Sequence, residues 1–257
     1  MSAVKRLQFA YRKMSAARRS EKFDRLATFE RRVYSQHGED GILAELFAQA
    51  GTTDRFFVEF GAGEGYESNT ALLARAYGWN GYLIEGDPLT FASLRKAYAS
   101  YSGVVTRCAS VTAESVVERF VEGNVPNEFD LLSIDIDGND YWLWKALATR
   151  FRPRFVVIEY NAHYAPPRKW VMAYDPEHRW DGSDYYSASL ESYAALGREL
   201  GYALLGTESR GANAFFCRRD VLPALRFREA SVRDAYHPPN FGLRKRFRHR
   251  EAKYVTM

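Results

Sequence analysis

The chain has 257 residues, a mass of 29.5 kDa and a formal net charge of +4, which suits one large domain or a domain with extensions. Apolar residues at 46% and charged residues at 26% are ordinary for a globular protein and exclude global disorder. Two cysteines, Cys108 and Cys217, exclude a disulfide scaffold and a four-cysteine zinc site, and no apolar run approaches the roughly 18 residues of a membrane span.

With no apolar leader segment, a soluble cytoplasmic protein is the default expectation. The net charge is unevenly placed. Residues 1–32 carry ten Lys/Arg against three acids, and residues 226–257 carry nine against three. The body between them, 33–225, is left with 17 basic and 26 acidic residues, a net of −9. Two basic arms on an acidic body can hold a phosphate-rich partner or a membrane surface, or clasp the body itself or a second subunit.

Residues 3–33 read as a helix, with Leu7, Tyr11, Met14, Leu26, Phe29 and Val33 at three- or four-residue spacing. A second helix follows over about 38–50, with Ser35 as its cap and Gly51 as its stop. Short β-rich runs then recur at 55–60, 81–85, 104–108, 130–135, 154–159, 202–207 and 213–218. Helical stretches at about 68–78, 88–99, 112–122, 140–149 and 187–200 separate most of them. The alternation predicts an α/β fold with a Rossmann-like, mostly parallel seven-stranded sheet and helices on both faces. The turn Thr207–Gly211 is too short for a crossover, so the last two strands form an antiparallel C-terminal hairpin. Cys108 and Cys217 fall in apolar strands and read as core residues.

The sharpest local signal is Phe56-Phe57-Val58-Glu59-Phe60-Gly61-Ala62-Gly63-Glu64-Gly65, a strand running into alternating glycines. Glycine there permits a tight turn and close approach of backbone to a ligand. Tyr66 stands where a dinucleotide fingerprint requires its third glycine, and no Gly-Lys-Ser/Thr of a phosphate loop follows. An acid two residues before the first glycine suits a cationic ligand, so Glu59 is placed to face an ammonium or sulfonium. Glu85, at the tip of the second strand, suits two ribose hydroxyls, with Asp87 a weaker substitute.

The Glu59-x-Gly61-x-Gly63-x-Gly65 motif, Glu85, the strand series and the terminal hairpin resemble class I S-adenosylmethionine-dependent methyltransferases. Three further segments resemble the FkbM-type, sugar O-methyltransferase-like branch. They are Tyr34-Ser35-Gln36-His37-Gly38-Glu39-Asp40-Gly41-Ile42-Leu43, Ser133-Ile134-Asp135-Ile136-Asp137-Gly138-Asn139-Asp140-Tyr141 and Val157-Ile158-Glu159-Tyr160-Asn161. The resemblance covers about 33–220. It implies a methyltransferase domain there, flanked by a basic helical extension at 1–32 and a basic C-terminal extension at 221–257. It also implies S-adenosyl-L-methionine as donor, held by Glu59, Gly61, Gly63, Gly65 and Glu85, with Gln36, Glu39 and Asp135 as further donor contacts.

Strand alternation places Asp135 and Asp137 on one face, and Glu159, Asn161 and His163 continue the polar series after the fifth strand. Such hard oxygen ligands suit Mg²⁺, and related sugar and catechol O-methyltransferases place a metal at these two strand ends. This chain differs in offering Glu159 and Asn161 rather than adjacent acids. Asp135, Asp137, Glu159 and Asn161 are therefore metal ligands or, without a metal, contacts to acceptor or donor. His163 and Asp137 are the candidate catalytic residues for removing an acceptor proton. His37 reads instead as part of a capping cluster. Asp130 begins its strand at the wrong end of the sheet, and Asp140 reads as a helix cap.

The irregular stretch 161–186 is rich in aromatics. The loop Trp180–Ser189, with Asp184, Tyr185 and Tyr186, together with Tyr160, Tyr164 and Trp170, can cover an acceptor or simply pack against the sheet. The expected function is methylation of a hydroxyl on a saccharide or natural-product small molecule. An RNA methyltransferase using the basic arms and a catalytically silent scaffold are the alternatives. No RNA-binding module is recognisable in the chain.

Overall fold

The structure is a computed structural model whose described residues are 25–241, 249–250 and 253–256. Their strands, in chain order, are β1 (Phe56–Phe60), β2 (Asn80–Glu85), β3 (Val104–Cys108), β4 (Leu131–Ile134), β5 (Phe155–Glu159), β6 (Val171–Met172), β7 (Tyr202–Thr207), β8 (Asn213–Arg218) and β9 (Tyr254–Val255). The helices are α1 (Glu39–Ala50), α2 (Ala71–Tyr77), α3 (Pro88–Tyr98), α4 (Val116–Glu122), α5 (Asp140–Leu147), α6 (Leu190–Glu199) and α7 (Val232–Ala235).

Seven strands form one Rossmann-like sheet in the order β3-β2-β1-β4-β5-β8-β7. Only β8 runs against its neighbours, slotted between β5 and β7. The chain winds outward from β1 to β3, then returns past β1 to β4 and winds the other way. The carboxyl ends of β1 and β4 therefore flank the reversal point, where open α/β sheets leave a crevice.

The strands are apolar on both faces because both are covered. Phe57, Leu83, Leu131, Phe155 and Val157 pack with Ile42, Leu46 and Phe47 of α1, Leu73 of α2 and Leu94 of α3. Val58, Phe60, Ile84, Leu132, Ile134, Val156 and Phe216 pack on the other face with Phe120 of α4, Trp144 of α5 and Tyr193 of α6. Two helix starts carry side-chain caps beside this core. Asp87 accepts from Thr90 N at 2.8 Å ahead of Pro88, and Ser189 accepts from Ser192 N at 3.3 Å.

Several sequence expectations change. Most of the helix expected over 3–33 lies outside the described residues; its end holds only a short 3₁₀ turn, Leu26–Phe29, whose Leu26 and Phe29 enter the core. Residues 221–241, set apart on sequence, also pack into the body, with Val221, Leu225, Phe227 and Ala235 buried in it. Cys217 is buried, but Cys108 is exposed at the end of edge strand β3. The stretch 161–186 has a core of its own: Trp170 stacks on Tyr164 with centroids 4.2 Å apart and meets Tyr185 edge-on. Its strand β6 pairs with β9 from the C-terminal segment, and Arg250 and His249 meet Asp181 and Asp184. His249 and Arg250 of that arm thus rest on the acidic body. No helix among the described residues is long and apolar enough to cross a membrane.

Asp130 is fully buried just ahead of β4. Its carboxylate accepts from Thr53 N, Asp54 N and Arg55 N and pairs with Arg154 Nη1 at 2.7 Å. It anchors the approach to β1 at the amino end of the sheet. Removing one partner of such a pair strands the other in the interior, so Asp130→Ala is expected to cost about 3 kcal/mol in denaturant unfolding. A loss below about 1 kcal/mol would refute that role.

Candidate active site

A cavity of about 540 Å³ lies at the carboxyl edge, over the reversal point. Its lining includes Gly61, Gly63, Glu85, Asp135, Asp137 and Glu159. Gln36 lines it too, from the segment ahead of α1.

The three glycines of the turn are required for three different reasons. Gly61 has φ +66, and a Cβ there would stand 1.6 Å from the Asp135 carbonyl oxygen, so only glycine lets β1 pass so close to the end of β4. Gly63, at φ +56, has no neighbouring atom within 4 Å of the place a Cβ would occupy, and it presents bare backbone to the cavity. Gly65, at φ +76, is pressed against Leu94 and Tyr98, where a Cβ would come within 2.6 Å, and it does not line the cavity. Its carbonyl accepts from Arg75 Nη2 at 2.9 Å. That guanidinium lies 4.8 Å from the Tyr98 ring and 5.2 Å from the Tyr66 ring. Nothing in the local sequence singled out Arg75, because its partners come from four different segments.

Glu85 is held facing the turn. Its Oε2 accepts from Gly63 N at 3.0 Å and its Oε1 from Asp87 N at 2.9 Å, which leaves each oxygen further lone pairs for a ligand. Asp87, beside it in the lining, is spent mainly on capping α3.

Glu59 differs from expectation. It shares a strand face with Phe57, the side that carries α1 to α3, and is buried there. It accepts from Asn69 N at 2.9 Å, Thr70 N at 3.3 Å and Thr70 Oγ1 at 2.5 Å, bracing the start of α2, and it does not line the cavity. Burial pushes its carboxyl above the ordinary range. Glu39 is likewise fully buried and accepts from Asn213 Nδ2 and His37 N. It stands behind Asn213, which does reach the cavity, as does His37. The Ser35 region is tied down by Asp40, whose Oδ2 takes the N–H groups of Val33, Tyr34 and Ser35. Ser35 Oγ accepts in return from Asp40 N.

Asp135, Asp137 and Glu159 each place an oxygen within 4.8 Å of the others. Strand alternation is not what brings the first two together, since β4 ends at Ile134. A loop does so: Asp137 sits at φ +53, and Asp140 folds back to accept from Ile136 N and Gly138 N, both at 2.9 Å. Asp140 thus braces the preceding loop rather than capping α5. A non-glycine residue in the left-handed region carries local strain, and its side chain here enters the acidic cluster. Burial, then the charge of Asp137, hold the Asp135 carboxyl well above the ordinary range. Three hard oxygens at this spacing fit a small divalent cation, which would relieve that repulsion.

Asn161 does not join them. Its Nδ2 donates to the carbonyls of Asp184 and Tyr186, and its Oδ1 accepts from His163 N, so the amide is consumed in holding the loop. His163, half-buried beside Asn161 and lowered in pKa by burial, does not line the cavity. Nor do Tyr160, Tyr164, Asp184 or Tyr185. Tyr160 donates to the His237 carbonyl, Tyr164 stacks on Trp170, Asp184 takes His249 and Tyr185 donates to the Lys253 carbonyl. Of the two roles open to these aromatics, packing the loop is what the structure shows. The loop reaches the cavity through Trp180 and Tyr186, from the segment expected to cover an acceptor, and through His178 and Arg179, which were not singled out. His178 lies against Gly138, where a Cβ would come within 2.7 Å of its ring, and its buried Nε2 has no hydrogen-bond partner among the described residues.

No protein-family model matches the chain, and no curated protein matches it. Solved structures share parts of its shape. The O-methyltransferase from Bacillus cereus in complex with SAH is 17% identical over 84% of this chain and 90% of that one, with a TM-score of 0.49. A putative caffeoyl-CoA O-methyltransferase from Staphylococcus aureus is 15% identical over 85% and 93%, also at 0.49. The N-terminal domain of EvdMO1 with SAH bound is 14% identical over 71% and 80%, at 0.44. At such identities and scores nothing about residue roles follows from them, and the chain's own geometry has to carry the function.

Behind the cavity, burial raises the Glu208 carboxyl from 4.5 to about 7, although Arg210, Ala212 and Asn213 donate backbone N–H groups to it. Asp140 is raised from 3.8 to about 6 by the same cause. The folded state then binds more protons than the unfolded chain between about pH 4 and 7. Stability from these groups is full at the acid end of that window and is lost as pH rises through it. Thermal melts at pH 5 to 8 should show a shallower fall for Glu208→Gln than for the wild type; identical slopes would count against this assignment.

Proposed function

We propose that the protein is an S-adenosylmethionine-dependent methyltransferase acting on a hydroxyl of a small polyhydroxylated molecule, a saccharide or natural product, with Mg²⁺ assistance. One observation carries this reading. Glu85, held by the N–H groups of Gly63 and Asp87, shares a cavity with bare Gly63 and with the Asp135–Asp137–Glu159 cluster. A diol-binding carboxylate and a cation-binding cluster at one reversal point suit a donor and an acceptor side by side.

When bound, the donor supplies an electrophilic methyl and the metal supplies charge that favours the alkoxide form of a hydroxyl. Glu85 would accept the two ribose hydroxyls, and Gly61 and Gly63 would let the backbone lie along the donor. Asp135, Asp137 and Glu159 would hold the cation. His178 replaces His163 as the candidate base, because it lines the cavity and has an unpartnered buried nitrogen. Trp180 and Tyr186 give the acceptor an aromatic wall of the kind sugars pack against.

Calorimetry should detect S-adenosylmethionine binding, and Glu85→Ala should weaken it at least about a hundredfold, since two bonds to a charged group are lost at about 1.5 kcal/mol each. Absence of binding at millimolar donor would overturn the proposal. Once an acceptor is found, EDTA should abolish turnover and Mg²⁺ restore it, whereas EDTA-insensitive turnover would remove the metal from the mechanism. His178→Gln should lower kcat by about 10² or more, with His163→Gln close to wild type; the reverse order would return the base to His163.

A further inference from the structure

A second cavity, of about 640 Å³, opens beside edge strand β7. None of the residues assigned above to donor, metal or acceptor lines it. Its walls come from the N-terminal turn, the end of β7 and the segment 228–237, and they carry Arg25, Arg228, Arg233 and His237.

The charges around this cavity are unbalanced. Of the two acids in the lining, Glu229 is neutralised by both Nη atoms of Arg219, at 3.0 and 2.8 Å, whereas Asp234 accepts from Ser231 Oγ at 2.6 Å and keeps its charge. Arg25, Arg228 and Arg233 form no ion pair with any described residue. His237 has a defined tautomer as well. Thr207 gives its hydroxyl proton to the Ala235 carbonyl at 2.5 Å, so His237 Nδ1, 2.8 Å away, is the donor to Thr207 Oγ1. The ring's second nitrogen remains for another partner.

We propose that this cavity binds a small molecule carrying two or more phosphate groups. Guanidinium forks match phosphate oxygens in pairs, and three guanidiniums without an ion pair among the described residues outnumber Asp234, the one lining carboxylate that meets no described cation, which leaves the concavity a net positive charge for an anion. The volume is that of a small-molecule site, which suits a compact polyphosphate. Tyr236 is the one Phe, Tyr or Trp in the lining, too few for the succession of aromatic faces on which single-stranded bases stack. The inference does not depend on methyl transfer, and the donor site can fail without affecting it.

The test is calorimetry of the full chain with sodium tripolyphosphate, without donor or metal. Saturable one-to-one binding is expected. The double variant Arg228→Gln, Arg233→Gln should weaken it at least about tenfold. Both side chains are exposed, so an unchanged Tm shows that the fold is retained. Three results would overturn the site: no saturable heat at millimolar tripolyphosphate, equal affinity in the double variant, or a comparable loss in Arg179→Gln, which would move the anion to the first cavity. Tighter binding of a single-stranded RNA oligonucleotide that survives the double variant would overturn it in favour of a polymer elsewhere on the surface.

Discussion

Like-charge crowding at the carboxyl edge of the sheet is the constraint around which the molecule is arranged. Asp135, Asp137 and Glu159 bring three oxygens within 4.8 Å of one another, and burial of the Asp135 carboxyl weakens the screening of that repulsion. Such a cluster persists only if protons or a cation neutralise it and the surrounding backbone holds it in place. The close pass of Gly61 over the Asp135 carbonyl and the brace from Asp140 supply that hold. The glycine turn and the acidic loop are therefore one unit, and a ligand that meets Gly63 also meets the carboxylates.

The carboxylates of the interior and of the cavity divide into two kinds. Glu59, Asp40, Asp130, Asp140 and Glu208 each accept from two or more backbone N–H groups and shape loops. Glu85, Asp135, Asp137 and Glu159 instead face the cavity. Burial raises several carboxyls of both kinds, so a raised pKa alone does not mark the working ones. Position relative to the cavity does.

Charge segregation has a similar double reading. In the described C-terminal segment, Arg250 and His249 meet acids of the 161–186 stretch, and β9 completes a two-stranded sheet with β6. Arg25, Arg228 and Arg233, by contrast, line a cavity and form no ion pair with any described residue. The same residue type clasps the body in one place and leaves an open anion site in another.

The sequence by itself determined the architecture. Apolar runs interrupted by helical periods specified all seven sheet strands and the antiparallel ending, because period and turn length are local properties. It also marked Gly61, Gly63, Glu85, Asp135, Asp137 and Glu159, which stand at strand ends where the chain reverses. Tertiary structure alone decided which way side chains beyond the strand ends turned. Glu59 went inward because its face of β1 is covered by helices, Asn161 and Tyr160 were taken up by carbonyls of distant segments, and His163 rests on the Asn161 amide so held. His178 and Arg75 became visible only once loops far apart in sequence were brought together. Periodicity ends where the strand ends, and the cavity begins there.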